Sequence, residues 1–245
     1  MKTTPRLHLE SDLAHQREIP LAREQAHYLT GVLRLGPGDP VHVFNARDGE
    51  WLSYLTDVSK KGAALRCERQ LSAVTPPPDI DYCFAPLKHA RLDYVVQKAT
   101  ELGVRRLRPV ITQRTIAERV NLERMKANVI EAAEQCNLVF VPDVMEPVKL
   151  PRLLLEWEQN RALVYCDETA GIADPLLALK PLSAPAAVII GPEGGFTEEE
   201  KRLLKSHSFV TAISLGPRIM RADTAAVAAL TMIQAVLGDW HGNSA

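Results

Sequence analysis

Residues 189–200 read IIGPEGGFTEEE and contain the end of one element and the start of the next. Ile189 and Ile190 end an apolar run typical of a buried strand, and Thr197 with Glu200 three residues later has the spacing of a helix capping box. Three glycines lie between these signals, although glycine loses more backbone entropy on folding than any other residue. The loop therefore serves either a tight turn or something that approaches the main chain closely, and this segment alone leaves both open.

A second stretch has the same form of strand, glycine loop and helix: ISLGPRIMRADTA, residues 213–225. Arg218, Arg221 and Asp223 precede an apolar helix, TAAVAALTMIQAVLG, which we expect to be buried in the core or against another subunit. Charged groups beside a buried helix are costly unless they are paired or used. They predict either an Arg-Asp pair that caps the helix or a functional role.

Two nucleotide-binding motifs are excluded by spacing. No Gly-Lys-Ser/Thr follows the first loop, so it is not a P-loop, and its three glycines do not have the dinucleotide-binding spacing. A simple strand-to-helix connection would explain one such loop more easily than two. The pair of loops favours a pocket for a small polar ligand.

The prolines of TPPPD (75–79) divide the chain into two regions with different sequence patterns. Before them, VHVFN (41–45), an Asp48-Gly49 hairpin signal, WLSYLTDV (51–58) and a third strand after a Lys61-Gly62 turn predict a small β-barrel or sheet, with a helix over 22–34. After them, strands and helices alternate. We predict strands at DYCFAPL, 105–112, 138–141, 162–166, 186–190 and 210–215, and helices at 91–103, at 122–136, from Pro151, from Thr197 and at 224–237.

This alternation predicts an α/β domain with a mainly parallel sheet, in which ligands bind outside the carboxyl ends of the strands. Hydrophobic residues make up 46% of the 245 residues, and the amino terminus has no apolar signal core, so we expect a cytoplasmic protein without a membrane span. The four cysteines are widely spaced, which favours reduced thiols over disulfides or zinc.

The net charge is −1, but residues 86–126 hold ten Lys/Arg against four Asp/Glu. A local basic surface of this kind is compatible with a nucleic acid partner, and solvated helix faces would explain it equally well.

Four ordered stretches resemble the RsmE family of SPOUT-class methyltransferases, which methylate N3 of a uridine in 16S ribosomal RNA: VVQKATELGVRRLRPVIT, AAEQC, GPEGGFTEEE and LGPRIMRADTAAVAAL. The resemblance covers nearly the whole chain, including PRLHL and VLRLGPGD. It implies a PUA-like RNA-binding β-barrel over 1–74, a Pro-rich linker over 75–79 and a SPOUT methyltransferase domain over 80–245. It also implies a C-terminal trefoil knot, which general folding rules disfavour, and a homodimer whose interface completes the active site.

The resemblance further implies S-adenosylmethionine as methyl donor, without a metal. The resemblance implies a donor pocket with two walls. One wall consists of Gly191, Pro192, Glu193, Gly194 and Gly195, and the other of Leu215, Gly216, Ile219 and Met220. Glycine would permit close approach of the donor to main-chain groups that read the adenine edge.

Methylation at N3 requires loss of the N3 proton, which puts negative charge on the uracil carbonyl oxygens. Arg221 is the candidate to stabilise this charge, and Asp223 either orients Arg221 or acts as the base. The target must be single-stranded or extruded, and basic side chains must hold its backbone. The candidate phosphate contacts, each equally explained as ordinary surface charge, are Arg6, Arg34, Lys88 and Arg91.

Two departures from the family pattern stand out. Ala222-Asp223 replaces the usual Thr-Glu and keeps the acidic charge, whereas Asn137-Leu138-Val139 lacks the usual arginine after the EQ motif, which affects one RNA or substrate contact. Two rival functions remain at this point: a knotted-class methyltransferase acting on another RNA position or on tRNA, and a non-catalytic RNA-binding protein.

Overall fold

The computed structural model of the chain describes residues 4–59, 62–88, 90–116, 119–171 and 174–240. The chain forms two compact units, one of residues 1–76 with 133–141 and one of residues 77–132 with 142–245. The sequence interpretation did not anticipate that residues 133–141 belong with the amino-terminal unit.

The first unit contains a five-stranded sheet in the order β1-β3-β4-β5-β2. Its strands are β1 (Arg6–His8), β2 (Glu18–Pro20), β3 (Pro40–Asn45), β4 (Gly49–Ser59) and β5 (Gly62–Ser72). The three predicted strands and the hairpin at Gly49, where φ is +79°, are confirmed, whereas β1 and β2 were not predicted. Lys61 of the predicted turn lies outside the described residues.

The predicted helix over 22–34 is shorter and composite. It consists of α1 (Arg23–His27) followed by a π-helical turn, Tyr28–Val32. Leu29 in this turn is fully buried in an apolar cluster with Val41 and Leu65 from the sheet. The amphipathic pattern was therefore interpreted correctly, but the local helical pitch was not.

Arg6 is an internal cross-link of the first unit. Its guanidinium donates to Glu50 Oε1 at 2.7 Å and to the main-chain carbonyls of Ala133, Glu134 and Leu138, and it lies 4.3 Å above the Phe44 ring. Every nitrogen of the group is thereby engaged by the protein. This argues against the predicted phosphate contact at Arg6.

The strand predicted at 138–141 is wrong. Asn137 has φ of +57°, and the following residues are irregular, with the Leu138 carbonyl taken by Arg6 rather than by a neighbouring strand. The apolar run LVFV has the composition of a strand, but its hydrogen-bond partner is a side chain from the start of the chain. Short strands form a few residues later instead.

The second unit is built on a parallel sheet in the order β12-β10-β11-β6-β7-β8, with β9 paired to β7. Its strands are β6 (Ile80–Phe84), β7 (Arg106–Ile111), β8 (Asp143–Val144), β9 (Val148–Lys149), β10 (Ala162–Cys166), β11 (Ala186–Ile190) and β12 (Val210–Ile213). Its helices are α2 (Ala90–Glu101), α3 (Leu122–Gln135), α4 (Leu150–Leu155), α5 (Pro175–Leu179), α6 (Glu198–Lys205) and α7 (Ala222–Leu237). The last three residues of α3 belong to the first unit. The predicted α/β class with a mainly parallel sheet is confirmed.

Strands β6 and β11 lie side by side in the middle of this sheet, and all five residues of each are buried. Strands buried along their whole length, as these are, belong to sheets covered on both faces. Among the described residues, no helix combines the length and apolar character needed to cross a membrane.

A buried glutamine of α7 forms hydrogen bonds with the end of α2. Gln234 Nε2 donates to the carbonyls of Leu102 at 2.6 Å and Gly103 at 3.2 Å, which are free acceptors at the end of α2. This contact satisfies one helix terminus with a side chain from another helix. It joins the carboxyl-terminal part of α7 to the end of α2, whereas Arg221 and Asp223 lie at the other end of α7.

A buried ion cluster lies at the amino-terminal end of the sheet. The fully buried Asp81 of β6 accepts from Arg106 Nε at 2.7 Å and from Arg108 Nε at 2.6 Å, both on β7. Asp79 pairs with Arg106 and with Arg161, which precedes β10. Part of the basic stretch seen in the sequence is therefore used inside the second unit.

We predict that Asp81→Asn destabilises the protein by about 3 kcal/mol, because removing one partner of a buried ion pair leaves charge uncompensated. Urea denaturation would measure the loss. Glu123→Gln, which removes an exposed partner of Lys126, is the control and should change stability little. Equal urea midpoints of unfolding for Asp81→Asn and the wild type would contradict the stabilising role of this ion cluster.

Candidate functional site

A cavity lies where the loops after three neighbouring strands meet. Strands β12, β10 and β11 are adjacent and parallel, so the segments that follow them emerge at the same edge of the sheet. The cavity is lined by Cys166, Asp167, Glu168, Ile190, Gly191, Pro192, Gly195, Phe196, Leu215, Gly216, Arg218, Met220 and Ala225. Both glycine loops identified in the sequence therefore contribute to one site.

Most of the predicted pocket residues come together here. The cavity includes Gly191, Pro192, Gly195, Leu215, Gly216 and Met220. The other three point elsewhere: Glu193 pairs with Arg91 at 2.9 Å, the Gly194 carbonyl accepts from Arg114 at 2.7 Å, and Ile219 is 97% exposed.

The glycines answer the question posed by IIGPEGGFTEEE in two ways. Gly195 has φ of +67°, a conformation that glycine adopts without penalty, so it serves the turn. Gly191 serves close packing, because a Cβ there would lie 2.8 Å from the Phe196 ring. Gly216 in the second loop has φ of +103° with open space around it, so its requirement is conformational.

The predicted capping box is present at the start of α6. Thr197 Oγ1 accepts from the Glu200 amide, and Glu200 Oε2 accepts from the Thr197 amide at 2.9 Å. Glu200 is buried, and its second oxygen accepts from the Gln113 amide at 2.7 Å, after β7. One carboxylate therefore joins the end of the glycine loop to the turn after β7.

The sequence interpretation missed the wall supplied by the end of β10. Asp167 is buried, with Oδ2 2.6 Å from Lys205 Nζ and Oδ1 accepting from Thr169. Burial acts to raise the pKa of Asp167, but the hydrogen bonds from Lys205 and Thr169 outweigh it and hold the pKa below its ordinary value. The strand-end rule, applied to ALVYC as it was to the two glycine loops, would have found this wall.

The cavity wall carries one acidic and one basic group that remain accessible. Glu168 Oε1 is held by Lys201 Nζ at 3.1 Å, and more than half of the Glu168 side chain is exposed. Arg218 is exposed on the opposite loop. Opposite charges beside the apolar Phe196 and Met220 suit a ligand that is itself both charged and apolar.

The thiol that lines the cavity is not reactive. Burial raises the pKa of the Cys166 thiol to about 12, so this thiol stays protonated at neutral pH. Tyr165 packs edge-on against Phe196 with the ring centroids 5.4 Å apart, and burial raises its pKa. Within the described ranges, no group of three or more His, Cys, Asp or Glu residues is arranged to hold a metal.

The two candidate catalytic residues flank the first turn of α7. Arg221 is the residue before the helix, is exposed and makes no side-chain cap, while Asp223 accepts from the Thr224 amide at 2.8 Å. The described residues contain no ion pair between Asp223 and either Arg218 or Arg221. The interpretation of these charges as an Arg-Asp cap is therefore wrong.

The remaining candidate phosphate contacts lie on the surface. Arg34 and Lys88 are exposed, and Arg34 has φ of +57°. Arg91 is partly exposed and holds Glu193. Lys88 and Arg91 belong to the second unit, as the cavity does, whereas Arg34 belongs to the first.

Two protein-family models match the chain. An RNA methyltransferase domain matches residues 75–234, and an RNA methyltransferase PUA domain matches residues 21–66. The α/β unit and the amino-terminal PUA-like unit expected from the sequence are thus both supported.

Individual proteins of known sequence or structure agree. The ribosomal RNA small subunit methyltransferase E of Rickettsia conorii is 32% identical over 94% of each chain. The crystal structure of the protein of the same name from Neisseria gonorrhoeae, bound to S-adenosyl methionine, is 26% identical, covers 97% of this chain and 100% of its own, and has a TM-score of 0.84. A putative methyltransferase from Legionella pneumophila with bound SAM gives 29% identity, 97% and 99% coverage and the same TM-score. On these grounds the chain belongs to the ribosomal RNA small subunit methyltransferase E family.

Proposed function

We propose that this protein transfers a methyl group from S-adenosylmethionine to N3 of a specific uridine in 16S ribosomal RNA. The observation that carries the proposal is the cavity formed by two glycine loops and the end of β10 at the carboxyl edge of the sheet. Relatives with the same fold bind the donor, and the family acts on the small-subunit RNA, as their names state.

The lining of the cavity fits the donor chemically. Phe196 and Met220 offer apolar surface to an adenosine, and the glycine loops leave main-chain groups accessible. Arg218 would bind the donor carboxylate. When bound, S-adenosylmethionine supplies a methyl group already activated by the positive sulfur, so the protein contributes orientation rather than activation.

Arg221 is the proposed catalytic residue. It is exposed at the entrance to α7 with no partner in the described chain, so its guanidinium is available to the uracil oxygens as negative charge develops on them. Asp223, two residues later, either orients Arg221 or removes the N3 proton.

RNA would be held by exposed basic side chains of both units. Lys88 and Arg91 in the second unit and Arg34 in the first are the proposed phosphate contacts. Arg91 now pairs with Glu193, and a phosphate would replace that exposed pair at small cost because surface ion pairs contribute little.

We also infer a homodimer with the trefoil knot typical of the class. Helix α7 is apolar almost throughout, but its Val227, Ala228 and Met232 are only partly buried within one chain. Leu177 on α5, which packs against α7, is exposed. A second copy would cover this surface. The proposed substrate puts the protein in the cytoplasm, where ribosomes are assembled.

The position of methylation can be tested by primer extension. Methylation at N3 blocks the pairing edge, so 16S RNA from cells lacking this gene should lose one reverse-transcriptase stop, which the wild-type sequence restores. A stop that persists in the deletion strain would refute the assignment to this substrate.

Arg221→Ala should lower kcat for methylation by about 100-fold or more, because one stabilising donor at the developing negative charge is lost. The dissociation constant for S-adenosylmethionine, measured by calorimetry, should stay close to that of the wild type. Arg218→Ala should show the reverse pattern, with weaker donor binding. Arg202→Ala on α6 is the control, since its partner Glu199 is also exposed. Full activity of Arg221→Ala would remove it from the mechanism.

A further inference from the structure

Arg114 touches the first glycine loop from outside the cavity. Its Nη1 donates to the Gly194 carbonyl at 2.7 Å. A Cβ on Gly194 would lie 3.4 Å from Arg114 Cδ, so the hydrocarbon part of the side chain packs on this glycine. The neighbouring residues Gly191, Pro192 and Gly195 line the cavity, and a shift of the Gly194 peptide would therefore move the cavity wall.

The segment that presents Arg114 is itself fixed. Thr115 Oγ1 accepts from the Thr112 amide at 2.9 Å and lies 2.9 Å from Thr112 Oγ1, which closes a turn around Arg114. The Gln113 amide donates to Glu200, the same carboxylate that binds the Thr197 amide at the end of the glycine loop. Arg114 therefore acts from a turn tied to the helix that the loop leads into.

Only part of the guanidinium is used. A guanidinium has five N–H donors, and for Arg114 the described structure records a hydrogen bond at Nη1 alone, with Glu199 close enough to interact with the charge. The residue is exposed, and its Nε and Nη2 have no hydrogen-bond partner among the described residues. Their parallel N–H groups match the geometry of a phosphate, which arginine binds through two hydrogen bonds at once.

We infer that Arg114 is a positioning residue that couples RNA binding to donor binding, holding the Gly194 carbonyl with one edge and an RNA phosphate with the other. This inference rests on the proposed function. A phosphate that fixes the guanidinium also fixes the contact with Gly194, so RNA should tighten donor binding. By thermodynamic reciprocity, the donor should tighten RNA binding by the same factor.

The test measures the dissociation constant of S-adenosylhomocysteine, which has no transferable methyl group, with and without saturating unmethylated 16S RNA or small subunits, whichever the wild type methylates. In the wild type, RNA should tighten binding about five-fold. Arg114→Ala should weaken RNA-free binding about three- to ten-fold, because a hydrogen bond to the loop is lost, and should abolish the effect of RNA.

Arg114→Lys separates the two contacts. A lysine has a single ammonium group, which can approach Gly194 or a phosphate but lacks the fork that holds both. This variant should recover part of the RNA-free affinity without recovering the coupling. Arg119→Ala is the matched control, since Arg119 is exposed in the nearby segment and the described structure records no contact between it and the glycine loop. It should keep both donor affinity and coupling.

Three results would overturn the inference. The first is a wild type whose donor affinity does not change when RNA is added. The others are an Arg114→Ala variant that keeps full coupling and an Arg114→Ala variant that loses RNA affinity but keeps its donor affinity. These results are distinct from failure of the proposed function. A wild type that methylates 16S RNA without coupling refutes the role of Arg114 alone, whereas a wild type that binds no donor refutes both. Thermal denaturation of each variant would confirm that the exposed substitutions leave the fold intact.

Discussion

The second unit depends on how the charge of Asp81 is compensated in the interior. A carboxylate with no exposed surface is tolerated in β6 because Arg106 and Arg108 of β7 reach it at hydrogen-bond distance. This cluster occupies the amino-terminal edge of the parallel sheet and fixes the alignment of its central strands. The opposite edge, where the strands end in loops, is left for the cavity. The amino-terminal edge thus stabilises the sheet, and the carboxyl-terminal edge forms the cavity.

Local signals in the sequence predicted much of this arrangement. Thr197 and Glu200 define a helix start from four residues, and the capping box forms as expected. The resemblance to the RsmE family put both glycine loops in one pocket, in agreement with the rule that ligands bind at the carboxyl ends of parallel strands. These features were predictable since the groups that determine them are neighbours in sequence or follow from the class of sheet.

Other features depend on partners far away in the chain, which local patterns do not reveal. The run LVFV near residue 140 is irregular because Arg6 takes the Leu138 carbonyl, over 132 positions of separation. Glu200 was predicted as part of the capping box of α6, but the hydrogen bond that it accepts from the Gln113 amide was not predicted. The charge of the stretch from 86 to 126 was compatible with a basic surface or with solvated helix faces, whereas Arg106 and Arg108 are compensated internally. In each case a partner far away in the sequence gives the residue a role that the local pattern does not show.

The contacts of Arg6 have a consequence for how the amino-terminal unit can be studied. A fragment cut at the prolines near residue 76 would retain Arg6 and Glu50 but lose the Ala133, Glu134 and Leu138 carbonyls that accept from the guanidinium. The cut would leave the guanidinium with one of its four acceptors, and the contacts through which Arg6 connects the two segments of the unit would be lost. The continuous segment is therefore an incomplete unit, and an autonomous form of the amino-terminal unit would have to include residues 133–141, supplied through a short linker.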